Sequence, residues 1–202
     1  MTCLRGVCGL VMIVTGLSAC AGDPAAEAQR FTESGDAYSA RQQYAEAIIE
    51  YGRALQLSPT AERHFKLAEV YERSGESTSA FDEYAAVAEL QPAHLTAQMK
   101  LGNALLAAGD FAGARHRAEL ALKADPSHAP GYVLLGNALS GLRDVKSALQ
   151  QIERALAIDP ASASAWTALG AARQAAGERR EAAAAFEKAI AVDPSSAPAH
   201  VA

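Results

Sequence analysis

Beyond residue 20 the chain has no cysteine: of its 202 residues only Cys3, Cys8 and Cys20 carry a thiol. Everything downstream must fold without a disulfide or a thiolate metal site, held by packing alone. Aromatic residues make up only 6% of the chain. Val and Ile are sparse outside the first 20 residues, whereas Ala is used heavily. That balance disfavours a sheet and favours helices drawn close through small side chains. A basic run is also missing, the formal charge being -5 and the pI near 5.5. Phosphate backbones need a basic stripe, so nucleic acid is excluded as a partner.

Recognisable chemistry is equally scarce. The histidines, His64, His94, His116, His128 and His200, show no pairing at helical spacing and read as lone surface residues, so no metal site is expected. There is no Gly-rich phosphate loop and no nucleophile elbow, and Glu46, Glu50, Glu119 and Glu153 read as solvated helix faces. No catalytic residue, cofactor or small-molecule substrate is assigned, and the chain is not expected to be an enzyme. What is present is enough for a core: 50% hydrophobic and 20% charged residues in a length that suits one ordinary domain. The expected class is all-α.

The opening "MTCLRGVCGLVMIVTGLSAC" has one positive charge, Arg5, then an apolar stretch from Val7 to Leu17, then small residues. This is the three-part layout of an export signal, with an apolar part too short for a comfortable permanent span. An ordinary signal peptide with an incidental Cys, or a buried N-terminal helix, is the plainer alternative. The ending Leu17, Ser18, Ala19, Cys20 resembles the bacterial lipobox. That resemblance implies a signal peptide over residues 1–19, acylation of the Cys20 thiol and a mature N-terminus at Cys20. Several acyl chains, at about 0.8 kcal/mol per buried methylene, hold a protein on a membrane permanently. Ala21 rather than Asp follows the Cys, which in lipoproteins of the enterobacterial type leans towards the outer membrane, facing the periplasm. Residues 20–27 are expected as a lipidated Cys and short tether, reaching at most roughly 25 Å.

The remainder is periodic. Pro59, Pro92, Pro126, Pro160 and Pro194 recur, the last three each preceded by Asp. Ahead of each proline lies a small residue, Gly35, Ala68, Gly102, Gly136 or Gly170, where a neighbouring helix crosses without room for more. Leu67, Leu101, Leu135 and Leu169 precede it in four of the five units. Later comes Ala47, Ala80, Ala114, Ala148 or Ala182, then Tyr51, Tyr84, Ala118, Ile152 or Phe186, expected to fill the gaps between units. A further column, Ala54, Val87, Ala121, Ala155 and Ala189, precedes the proline that stops the second helix. Phe31, Tyr132 and Trp166 open the first helix, with His64 and Gln98 as departures.

A constellation with this period resembles the tetratricopeptide repeat (TPR), whose unit is two antiparallel helices. The resemblance implies a right-handed superhelical solenoid over residues 28–196, in units 28–60, 61–94, 95–128, 129–162 and 163–196. "APAHVA", residues 197–202, reads as the start of a sixth, incomplete repeat. It leaves Ala and Phe of "EAAAAFEKAI" facing a missing neighbour, so further chain or a partner is expected to cover that end.

In that family the concave surface, built by first helices, commonly holds extended peptides. The texts "LGNALLAAGD" and "LGNALSGLRD" place Asn103 and Asn137 one period apart, just after the small residue. Such an amide both donates to and accepts from a peptide backbone. Asp36 and Glu69 take the place in the first two units and Ala171 in the fifth. Other expected groove residues are Glu62, Phe65, Glu72, Arg73, Met99, Leu106, Val133 and Ser140. The acidic end at Asp36, Glu62 and Glu69 is expected to favour a basic residue on the ligand. The lysine and asparagine set that clamps a terminal carboxylate in chaperone-binding members is incomplete. The expected function is a membrane-anchored scaffold binding protein or peptide segments of envelope-assembly or polysaccharide-export partners. The alternative is the repeat arm of a larger enzyme, such as a glycosyltransferase, with its catalytic part beyond residue 202.

Overall fold

The structure, a computed structural model, describes residues 23–194. The signal segment 1–19, Cys20 and the segment 197–202 lie outside the described residues. The described residues form ten helices and no strand: α1 (Pro24–Ala40), α2 (Tyr44–Leu57), α3 (Ala61–Ser74), α4 (Ser77–Leu90), α5 (Leu95–Ala107), α6 (Phe111–Ala124), α7 (Ala129–Gly141), α8 (Val145–Ile158), α9 (Ala163–Ala175) and α10 (Arg179–Val192). None is long and apolar enough to cross a membrane.

Consecutive helices pack as hairpins, α1 on α2 through α9 on α10, and each second helix also packs on the next first helix. Side chains that cap the helices explain where they start. Asp23, Thr60, His94, Asp110, Asp144 and Ser162 each accept a backbone N–H of the first turn. Asp23, with Pro24 at the first helical position, starts α1 four residues before the expected unit boundary at 28. Pro24 to Glu27 therefore belong to the helix rather than to an extended tether.

Between first and second helices the chain reverses through one residue with positive φ: Gln42 (60°), Gly75 (86°), Gly109 (79°), Arg143 (66°) and Gly177 (80°). Three of the five are glycine, as this left-handed region favours; Gln42 and Arg143 adopt it against the steric preference of their Cβ.

The core is a string of clusters along the axis. Ala47, Ala80, Ala114, Ala148 and Ala182 are all buried, and Ala54, Val87, Ala121, Ala155 and Ala189 are 0% exposed. One cluster joins Ala80, Tyr84 and Val87 to Ala97 and Leu101 of the next unit; another joins Ile152 and Ala155 to Ala165 and Ala168. The large residues Tyr51, Ile152 and Phe186 lie over the glycine of their own hairpin, rather than only between units. A Cβ on Gly35 would stand 2.7 Å from Tyr51, one on Gly136 2.5 Å from Ile152, and one on Gly170 2.5 Å from Phe186. In the third unit Ala118 is too short to do this, and Leu134 of the following first helix reaches Gly102 instead.

The residues opening the first helices have a shared task. Trp166 Nε1 donates to the Pro160 carbonyl at 2.9 Å, the Tyr132 hydroxyl to Pro126 at 3.1 Å, and buried Gln98 Nε2 to Pro92 at 2.9 Å. Gln98 thus satisfies the carbonyl that an aromatic donor satisfies elsewhere. Three histidines are engaged rather than lone: His94 Nδ1 caps α5 by accepting from Ala97 N–H, His64 Nδ1 lies 2.6 Å from Glu83 Oε2, and His128 Nδ1 lies 4.0 Å from Asp125 Oδ2.

Candidate functional site

First helices are successive neighbours, α5 touching α7 and α7 touching α9. One residue per unit on each therefore builds a row along the solenoid. Asn103 is exposed on α5 and Asn137 half-buried on α7. Neither amide bonds to any of the described residues, and no buried side-chain polar atom there is left unpaired. Met99 and Leu106, both half-buried, lie one turn to either side of Asn103 on the same helix face. Val133 is buried to 9% exposure, one turn before Asn137. With Ser164, Thr167 and Ala171 of α9, Val133 and Asn137 line an open depression of about 400 Å³. Its one carboxylate, Asp193, is already engaged.

The two asparagines share no cavity. Asn103 belongs to a recess between the second and third units, with Phe81, Tyr84, Leu101 and Ala104. At the other end Asp36 and Glu69 come together with Tyr51, Lys66 and Arg73, whereas Glu62 lies apart beside Gln29 and Thr32. Phe65 is used for packing: its ring stands edge-on to Tyr84 at 5.8 Å and lies 4.9 Å from His94.

Charge at the acidic end is more balanced than a one-helix reading implies. Lys66 of α3 reaches back to Asp36, its Nζ 2.7 and 2.9 Å from the two carboxylate oxygens, and the Tyr51 hydroxyl donates to the same carboxylate at 2.6 Å. One unit on, Lys100 and the Tyr84 hydroxyl both donate to Glu72, at 2.5 and 2.9 Å. Burial by itself would raise the Glu72 pKa, but the bonds from Lys100 and Tyr84 outweigh it and hold the carboxyl below the usual range. Burial, reinforced by the carboxylate neighbours, pushes the Tyr51 and Tyr84 phenols well above theirs. Glu62 and Glu69 remain without an ion pair among the described residues, and Arg73 lines the recess beside Glu69.

Sequence reasoning misses these two relays because each joins three helices. Their signal in the sequence is the recurrence of Lys66 and Lys100 at the repeat interval, opposite Tyr51 and Tyr84. The next residues in that lysine column are Leu134 and Ala168, opposite Ala118 and Ile152. The first two joints are therefore polar and the last two apolar.

Comparison with known proteins agrees with the repeat fold. Models of the tetratricopeptide repeat match residues 35–75, 105–173 and 163–196. No curated protein matches. Among solved structures, MamA from Desulfovibrio magneticus RS-1 is 21% identical with a TM-score of 0.73, over 87% of this chain and 98% of that one. YrrB, described as a TPR protein with an unusual peptide-binding site, is 19% identical with a TM-score of 0.73, over 86% and 90%. TTC0263, a thermophilic TPR protein in Thermus thermophilus, is 22% identical with a TM-score of 0.61, over 86% and 95%. At these identities the likeness is one of fold.

Proposed function

Because the chain is a tetratricopeptide-repeat protein, we propose that it is a non-catalytic interaction scaffold that holds an extended segment of a partner protein along its first helices. The observation that carries this reading is the pair of Asn103 and Asn137. Their amides stand on successive first helices, one repeat apart, with no bond to the described residues. A solvated amide is no anomaly alone, but two of them one repeat apart on neighbouring first helices can each donate to and accept from the backbone of one extended segment. Met99, Leu106 and Val133 beside them give apolar purchase for alternate side chains.

The scaffold is tethered by acyl groups on Cys20 to the bacterial outer membrane, facing the periplasm, and its partners belong to envelope assembly or polysaccharide export. This part rests on the lipobox-like Leu17–Cys20 text and on Ala21. Metabolic labelling with a fatty-acid probe tests it: the wild-type chain becomes labelled, and Cys20→Ser loses both label and signal cleavage. Label retained by the variant refutes the anchor. For the groove, a photo-crosslinking residue at Ala171, in the Asn137 row, should capture a partner through an extended segment. Capture through a folded surface of that partner contradicts it.

A further inference from the structure

The second helices begin with Tyr44, Ser77, Phe111, Val145 and Arg179. In the joints around them these first residues plug the contact with the next unit. Tyr44 packs on the cluster of Leu67 and Val70. Phe111 lies so close over Gly141 that a Cβ there would collide with its ring. In the joint between the second and third units the plug is Ser77, exposed and too small. The opposite wall is short as well, because Ala104 occupies the place of Val70 one repeat later. Burial records the consequence. Val70, Ala138 and Ala172, equivalent positions in their repeats, are 1%, 0% and 2% exposed, whereas Ala104 is exposed. What remains is an open socket of about 330 Å³ between α4 and α5, walled by Ala80, Phe81, Leu101 and Ala104.

The rim is polar and mostly occupied. Glu72 is held by Lys100 and Tyr84, which leaves Asn103 as the rim amide with no bond to the described residues. An unbonded amide beside an apolar socket that lacks one side chain suits an extended segment that brings an apolar side chain of its own. We infer that this socket receives a phenylalanine-like side chain from an extended partner segment, whose adjacent peptide group bonds to Asn103. The incoming ring stands in for the one that Phe111 supplies at the next joint. A charged side chain is disfavoured there, since the walls offer no counter-ion beyond the Glu72–Lys100 pair, which is already closed. This assignment rests on the groove reading above and adds the side-chain class that anchors it.

The test titrates the full chain with the tripeptides Ac-Gly-Phe-Gly-NH2 and Ac-Gly-Ala-Gly-NH2, following backbone amide resonances. The phenylalanine peptide should shift Leu101, Asn103 and Ala104, and the alanine peptide should bind at least tenfold more weakly. Ser77→Phe, which installs the plug used elsewhere, should weaken the phenylalanine peptide at least tenfold while raising Tm by about 2 to 4 °C. Ala104→Val, copying Val70, provides a second fill should the first disturb the start of α4. Equal binding of the two peptides, or binding indifferent to both fills, overturns the socket. Asn137 lies outside it, so a partner whose affinity ignores Asn137→Ala tells against the groove reading instead.

Discussion

Replacing glycine by alanine should have opposite signs at two helical positions of this molecule, and the structure says which is which. At Gly136 on α7 a new Cβ would lie 2.5 Å from Ile152 Cγ1, 3.1 Å from Cδ1 and 3.2 Å from the Ala148 carbonyl. Ile152 is 0% exposed and cannot swing aside, and the carbonyl belongs to the α8 backbone. Overpacking of this kind costs about 1 to 3 kcal/mol, and wedging α7 from α8 places the expectation at the upper end. Against it stands the helix-propensity gain of about 1 kcal/mol. The net effect is a loss of about 1 to 2 kcal/mol, or about 2 to 8 °C in Tm at about 2 to 4 °C per kcal/mol for a chain of this size. At Gly52 on α2 a Cβ meets nothing within 4 Å, so only the propensity gain remains and the variant should be about 0.5 to 1 kcal/mol more stable. Urea denaturation of both variants measures this, with the slope checked because repeat arrays can unfold in stages. A double-mutant cycle of Gly136→Ala with Ile152→Ala should show a coupling of at least about 1 kcal/mol, the truncated side chain making room for the methyl. Gly136→Ala as stable as Gly52→Ala would refute the claim that the small-residue column is set by the large residue above it.

Further outcomes follow from the turns and the polar joints. Gln42→Gly and Arg143→Gly should each stabilise by about 0.5 to 1 kcal/mol, by removing a Cβ from a left-handed turn, whereas Gly109→Ala should cost about 1 kcal/mol; thermal melts decide. The Tyr51 and Tyr84 phenols titrate above their ordinary value in the fold, so their contribution is whole below about pH 10 and is lost as pH rises towards the raised values. Tm measured from about pH 8 to 11 should therefore fall, and Tyr51→Phe with Tyr84→Phe should flatten the fall; an unchanged slope contradicts the relays. Glu72 titrates below its ordinary range, so its contribution is present above that range and lost as pH drops through the lowered value, a limb that Glu72→Gln should remove.

The architecture was legible because it repeats. A column that is small five times over, as at Gly35, Ala68, Gly102, Gly136 and Gly170, carries its own control, and the structure shows each glycine of it pressed by a large side chain. The start of α1 is readable too, in Asp23 and Pro24, but it lies outside the repeat frame, within the stretch expected as a tether. Contacts joining three helices were not legible. Lys66 stands in the third helix, yet its partner Asp36 is 30 residues earlier, so periodicity lines up the lysines without saying whom they reach. Phe65 carries a second contact that periodicity does not show: half-buried, it packs on Tyr84 of α4 and on His94, neither of which its place in the unit names. The socket beside Ser77 is visible only when the exception in a column is weighed with as much care as the rule.

The most direct test of the scaffold reading is the affinity of the segment captured at the groove for the full chain and for Asn103→Ala combined with Asn137→Ala, by calorimetry. Two peptide groups left without partners should weaken binding by about 1 to 3 kcal/mol. Because Asp36 and Glu72 are closed by their lysines, added salt should weaken binding only modestly. Unchanged affinity for the double variant, with its helical content intact, would contradict the account and move recognition to the convex face or to the exposed end of α10.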